Sequence, residues 1–192
     1  GDAYNVGRTP DEAEAEDYHS EQILTFKKAG ADLVSALTFS SVEEAIGLSR
    51  AAKAAEMPVV ISFFVAKGGK LKTGETLAAA IARVDAATDS APAYYMINCT
   101  HPTEFEKGLT SGDWSKRLGG IMPNAVAMET LDLCKLGHLE DGDPQELGGQ
   151  MADIARRFDH INVWGGCCGT DGRHINEITR QVRDVRQPLA AE

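Results

Sequence analysis

Two adjacent cysteines, Cys167 and Cys168, lie in the run His160-Ile161-Asn162-Val163-Trp164-Gly165-Gly166-Cys167-Cys168-Gly169-Thr170-Asp171. Glycine lets a backbone turn sharply and approach a ligand closely. The pattern therefore places two thiols on a tight turn at the mouth of a short apolar strand. Thiolates are soft ligands that suit zinc. Two of them do not complete a site, and a third thiol, Cys99, closes another apolar run, Ala93-Tyr94-Tyr95-Met96-Ile97-Asn98-Cys99. Three protein ligands with one open position is how a catalytic zinc site is built, whereas a structural site is closed by four. A three-cysteine site takes a fourth soft ligand, such as a substrate thiol. The metal would lower that thiol's pKa and keep it ionised near neutral pH. A thiolate so held is a nucleophile suited to an activated methyl group.

Other readings of these residues stand beside that one. Free cysteines are commonly buried core residues, and Cys134 reads that way. Core packing does not call for two cysteines among three glycines. A vicinal redox pair explains Cys167 and Cys168 but leaves Cys99 without a role. Asp171 reads as a helix N-cap rather than a catalytic acid. His174 reads as a packing or capping residue, and His19 as a buried, hydrogen-bonded structural one. His101 is either an outer partner of the metal ligands or a loop residue before a helix. Asn98 either orients the substrate or Cys99, or satisfies loop backbone. Ser62 and Asn124, in or at the ends of strands, are placed to line a pocket. The acidic run from Asp11 to Asp17 reads as a solvated helix face, and Trp114 and Trp164 as packing residues.

These residues need elements that bring them together. Thr9-Pro10-Asp11-Glu12 is a capping box with Pro at the first helical position, opening a helix from about Pro10 to Ala29 with Ile23, Phe26 and Leu24 inward. A strand follows over 31–38. Ser41-Val42-Glu43-Glu44 caps a helix to about Ala55. Val59-Val60-Ile61-Ser62-Phe63-Phe64 is apolar on both faces, as a buried parallel strand requires. A helix over 75–87, the strand ending at Cys99, a short helix over 102–109 and a weaker strand over 119–124 come next. The stretch 125–142 reads as a long loop with a helical turn. Asp143-Pro144 caps a helix to about Phe158. The strand 160–164 and a helix over 173–185 close the chain. Strands and helices alternate, as in an α/β fold of βα units. In such folds the carboxyl ends of all strands lie on one face, where active sites form, so Cys99 can meet Cys167 and Cys168.

The chain has 192 residues with 29 acidic and 19 basic side chains, a net charge of −10. Lys and Arg form no cluster, which argues against nucleic acid or an anionic membrane as partner. No apolar run approaches the roughly 18–20 residues that cross a bilayer. Gly1-Asp2-Ala3-Tyr4-Asn5 shows no basic segment followed by an apolar one. With four cysteines and no secreted disulfide pattern, a reducing cytoplasm is expected.

Gly165-Gly166-Cys167-Cys168-Gly169-Thr170, followed by His174-Ile175, resembles the C-terminal signature of the zinc-dependent homocysteine S-methyltransferases. Ile97-Asn98-Cys99 resembles that family's upstream cysteine motif. The resemblance extends through Tyr18-His19, Ala29-Gly30-Ala31-Asp32, Pro58-Val59-Val60-Ile61-Ser62 and Pro123-Asn124-Ala125, and so covers essentially the whole chain. It implies an α/β fold, a partial (β/α)8 TIM barrel. It also implies Zn2+ held by Cys99, Cys167 and Cys168, with the sulfur of homocysteine as fourth ligand and methionine as product. Thr38, Ser62, Asn98 and Asn124 are the expected substrate-binding residues. The expected partners are a small-molecule thiol and a methyl donor, a sulfonium such as S-methylmethionine or S-adenosylmethionine, or betaine. The extra domains of members that use methyltetrahydrofolate have no counterpart in this sequence.

Two departures accompany the resemblance. A complete barrel has about 250 residues and eight strands, whereas five βα units are legible here. The expectation is a single domain over 1–192 without the family's opening strands, which a missing N-terminal segment or a second copy would supply. The family also carries Glu-Thr at the end of the first strand legible here, where the Glu helps bind the substrate amino group. This sequence has Leu37-Thr38. These departures motivate two alternatives, another thiol acceptor or a zinc-binding non-catalytic relative or fragment; the vicinal pair motivates a third, a vicinal-dithiol redox protein.

Overall fold

Val59-Val60-Ile61-Ser62-Phe63 is buried at every position because it is an inner strand of a parallel sheet with helices on its outer side. The protein is described by a computed structural model that covers residues 8–128, 132 and 135–187. Five strands lie in chain order: β1 (Val34–Phe39), β2 (Val59–Phe63), β3 (Tyr94–Asn98), β4 (Leu118–Met122) and β5 (Val163–Trp164). Every neighbouring pair is parallel. Helices α1 (Glu12–Lys28), α2 (Val42–Ala54), α3 (Leu77–Thr88), the single turn α4 (Pro102–Phe105), α5 (Pro144–Arg157) and α6 (Gly172–Arg186) alternate with them. The expected α/β order is present. The expected helix over 102–109 is one α-turn followed by a 3-10 turn, Glu106–Gly108. The expected strand over 160–164 shrinks to two residues.

The core forms between the outward strand residues and the helices. Ile61, Phe63, Tyr95, Ile97, Leu118 and Ile121 pack with Ile46, Ile81, Leu147, Ile154 and Ile178. At the amino end of the strands a polar knot closes this layer. Arg117 donates to Asp85 through Nε at 2.9 Å and Nη2 at 3.0 Å, and the Tyr95 hydroxyl donates to the same carboxylate at 2.8 Å. Burial first, and Asp85 second, push the Tyr95 phenol well above its usual range. β1 pairs only with β2 and β5 only with β4, so among the described residues the sheet is an open arc with two free edges.

Helix α1 departs from the sequence reading in two ways. Its capping box is Asp11 with Glu14, not Thr9 with Glu12. Leu24 and Phe26, expected inward, are 46% and 38% exposed. The reason is that α1 buries a narrow stripe against α2, Ala15-His19-Ile23 at spacing i, i+4, i+8. Leu24 and Phe26 lie off that stripe. The expectation that His19 is structural agrees with its place: it is buried, and its Nε2 donates to Glu44 Oε1 on α2 at 3.2 Å. Trp114 and Trp164 pack against the core as expected. The reading of Cys134, and of part of the 125–142 loop, falls outside the described residues.

The two helices approach closely at Gly47. A Cβ there would press on the Glu12 carbonyl oxygen and lie 2.6 Å from both the Ala15 Cβ and the Glu16 backbone nitrogen. In an unpacked helix, replacing Gly by Ala is stabilising by about 1 kcal/mol. Here the neighbour is backbone, which cannot yield without moving α1. Gly47→Ala is therefore expected to destabilise by about 1–3 kcal/mol, as overpacking does, in a urea or thermal melt. A stabilised variant would show that α1 is free to shift.

Candidate metal centre

The parallel arrangement brings the ends of β1, β2, β3 and β4 and the turn after β5 to one side of the sheet. At the end of β3, Asn98 is buried and both ends of its carboxamide are hydrogen-bonded. Its Oδ1 accepts from the Ser62 hydroxyl at 2.6 Å and from the Thr38 backbone N–H at 2.9 Å, and its Nδ2 donates to Thr38 Oγ1 at 2.8 Å. One carboxamide thus ties the tips of three adjacent strands. Thr38 has φ +66°, a left-handed conformation that costs a β-branched residue energy. The Asn98 grip on both its N–H and its hydroxyl holds it there. Of the expected substrate residues, Ser62, Asn98 and Asn124 are buried, and Thr38 alone is half-buried at the rim. Leu37 beside it is 47% exposed on the free edge strand.

The next residue, Cys99, also takes a left-handed conformation, φ +58°. That turn breaks the strand and leaves the Cys99 N–H donating to the Met122 carbonyl at 3.1 Å. The tail of β4 then runs between the two cysteine turns. The Cys167 N–H donates to the Pro123 carbonyl at 2.7 Å, and the Ala125 N–H to the Cys168 carbonyl at 2.9 Å. Asn124 lies between those two partners. Its Nδ2 donates to the Cys99 carbonyl at 2.9 Å, and its Oδ1 accepts from the Cys168 N–H at 3.2 Å.

Behind the cysteines the chain turns at Gly169, φ +80°. A Cβ there would run into the Glu140 carbonyl oxygen and lie 3.0 Å from the Ala125 Cβ. Glycine is needed for both the conformation and the close passage of the 140–142 segment. That segment is pinned from α6. His174, fully buried, donates from Nε2 to the Asp141 carbonyl at 2.6 Å, and Arg173 reaches Asp141 Oδ2 at 2.6 Å. Asp171 caps α6 as expected, accepting from the Arg173 N–H at 2.8 Å, with His174 completing a capping box. Its hydrogen bonds to the Arg173 side chain and backbone hold the Asp171 carboxyl well below the usual carboxylate range. His101 caps α4, its Nδ1 facing the Thr103 N–H at 3.4 Å, and burial lowers its pKa. The sequence offered no signal for the 140–142 strap or for Asn124 as a bridge, since both partner sets are remote along the chain.

The ligand atoms of Cys99, Cys167 and Cys168 all lie within 4.8 Å of one another, and they are the one such group of three among the described residues. Cys99 and Cys167 are joined as a disulfide, and Cys168 is free. The bond links two strand ends and not the vicinal pair. In reduced form the donor set is three thiolates, two of them half-buried and one buried. Soft donors in that number fit a zinc ion.

A sequence profile described as homocysteine S-methyltransferase matches residues 2–182. The chain belongs to the homocysteine S-methyltransferase family. Betaine–homocysteine S-methyltransferase 1 of Bos taurus is 26% identical over 210 residues, covering 99% of this chain and 51% of the bovine protein. Two crystal structures of the homocysteine methyltransferase MmuM from Escherichia coli share the fold. The oxidized form superposes with a TM-score of 0.71 at 19% identity, over 94% of this chain and 56% of that one. The metallated form gives 0.66 at 20% identity over the same shares. The five parallel strands are accordingly an arc of a TIM barrel. The chain spans about half the length of the relatives it matches.

Asn98→Ala removes the partner of the Thr38 N–H and of two hydroxyls in a buried corner. Leaving buried polar groups unsatisfied costs about 1–3 kcal/mol. The variant is expected to lose that much stability in a denaturant titration, with wild-type stability as the result that would deny Asn98 the role of clamp.

Proposed function

We propose that this homocysteine S-methyltransferase family chain carries the thiol-activating part of a zinc-dependent methyltransferase. The acceptor is homocysteine, the donor a sulfonium or betaine-type compound, and the product methionine. The observation that carries the reading is the convergence of three cysteine sulfurs, from two strand ends, within 4.8 Å. Cys99, Cys167 and Cys168 would hold Zn2+. When bound, the metal supplies a Lewis-acid centre that lowers the pKa of an acceptor thiol. The acceptor sulfur then attacks the donor's methyl carbon. The new S–C bond forms as the donor's bond to that methyl breaks, and the electron pair leaves with the donor as a neutral thioether or tertiary amine. The acceptor's thiol proton goes to solvent before attack.

The chain's own side chains divide the remaining work. Thr38 lines the acceptor pocket at the rim, while Ser62, Asn98 and Asn124 hold its wall. Leu37 stands where the family carries a glutamate, so this chain offers the amino group of homocysteine no carboxylate at that position. Three reduced thiols suit a reducing compartment such as the cytoplasm. The residues 1–192 act as one domain, and the free edges of the arc are met by the rest of a barrel, from a preceding segment or from a second copy.

A second reading has one observation in its favour. Cys99 and Cys167 are joined by a disulfide, which suits a redox role for that pair in place of metal binding. The two readings separate in one experiment. The reduced protein, loaded with zinc and studied by X-ray absorption, is expected to bind one ion per chain through three sulfurs, with a fourth sulfur added by homocysteine. Cys99→Ala, Cys167→Ala and Cys168→Ala should each abolish tight zinc binding. Zinc held without any added sulfur would leave a metal-binding protein that is not a thiol methyltransferase. No zinc binding, with Cys168 dispensable to thiol–disulfide cycling, would favour the redox reading. Methionine formation from homocysteine with S-methylmethionine, S-adenosylmethionine or betaine then identifies the donor.

A further inference from the structure

Asn124 lies two residues beyond β4 and is 1% exposed. A buried carboxamide offers a donor group and an acceptor group, and burial demands that both be used. Here they are used on two different cysteine turns. Nδ2 donates to the Cys99 carbonyl at 2.9 Å, and Oδ1 accepts from the Cys168 N–H at 3.2 Å. Among the described residues no other side chain hydrogen-bonds both turns. The backbone on either side of Asn124 reinforces the bridge, because Met122, Pro123 and Ala125 bond to Cys99, Cys167 and Cys168 in turn.

We propose that Asn124 is a positioning residue for the metal cysteines. It sets the spacing and orientation of Cys99 against Cys167 and Cys168, and through them the affinity of the three-thiolate site. The role is distinct from substrate contact, since its two polar ends are already used. The carboxamide supplies both the donor and the acceptor at this span, which neither alanine nor leucine can. The inference rests on the metal reading above. Cys99 sits in a left-handed turn, φ +58°, which is held only while its surroundings over-determine it. The Asn124 bond to its carbonyl is one of those restraints.

The test compares the wild-type protein with Asn124→Ala and Asn124→Leu, all reduced and shown folded by circular dichroism. Leu fills the space of the carboxamide and keeps the experiment decisive if the Ala variant does not fold. Zinc affinity by chelator competition is expected to fall about 10–100-fold, the usual effect of losing a group that orients metal ligands. The thiolate-to-metal charge-transfer bands of the Co2+-substituted protein should shift with it. Unchanged affinity and an unchanged Co2+ spectrum in folded variants would overturn the proposal. If the wild type itself binds no zinc, the metal reading fails. The bridge is then judged by hydrogen exchange at the Cys168 amide, where faster exchange in the variants supports it and unchanged exchange overturns it.

Discussion

Parallel strand pairing is the constraint on which the rest of this structure depends. Cys99 and Cys167 are 68 residues apart in the chain, yet their Cα atoms lie 5.4 Å apart. No local interaction brings that about. A parallel strand must return to the same end of the sheet through a crossover, so each βα unit delivers its carboxyl end to the same face. The cysteine turns follow β3 and β5, and the tail of β4 lies between them as a spacer. The long 125–142 connection and α5 are what separate β4 from β5 in sequence while leaving them adjacent in space.

The polar groups at this face are organised around two asparagines. Asn98 binds the ends of β1, β2 and β3 together, and Asn124 binds the two cysteine turns. Between them they account for both left-handed non-glycine residues at the site, Thr38 and Cys99. Conformations of that kind cost about 1–3 kcal/mol each and persist where neighbours over-determine them. The amino end of the sheet is different in kind. Its Asp85–Arg117–Tyr95 knot is closed, with every partner internal, which is the pattern of a stabilising end rather than a reactive one.

Much of the architecture was legible from residue patterns. The caps at Ser41, Asp143 and Asp171 are local side-chain-to-backbone bonds, and each formed where its short motif stood. The run of β2, apolar except for Ser62, announced a strand buried at every position. Pattern reading faltered at one cap, where a competing local box with Glu14 won, and where tertiary packing intervened. Asp11 displaced Thr9 as the cap of α1. Leu24 and Phe26 were left outside because α2 meets only the stripe through Ala15 and Ile23. β5 kept two paired residues because its register with β4 extends only from Gly120 to Ile121.

At the site the division is sharper. Residue types alone determined that three soft ligands stand at strand ends, that glycine is required beside them, and that Asp171 opens a helix, because these follow from the chemistry of single residues and their near neighbours. The family resemblance added which chemistry those ligands serve. Only the tertiary structure decided that Cys99 comes within reach of both Cys167 and Cys168. It also decided that Ser62, Asn98 and Asn124 turn their polar ends on the protein itself, and that His174 holds the 140–142 strap over Gly169. Those outcomes depend on which carbonyls and amides remain unpaired after the sheet assembles, and a sequence does not state that until the strands are placed side by side.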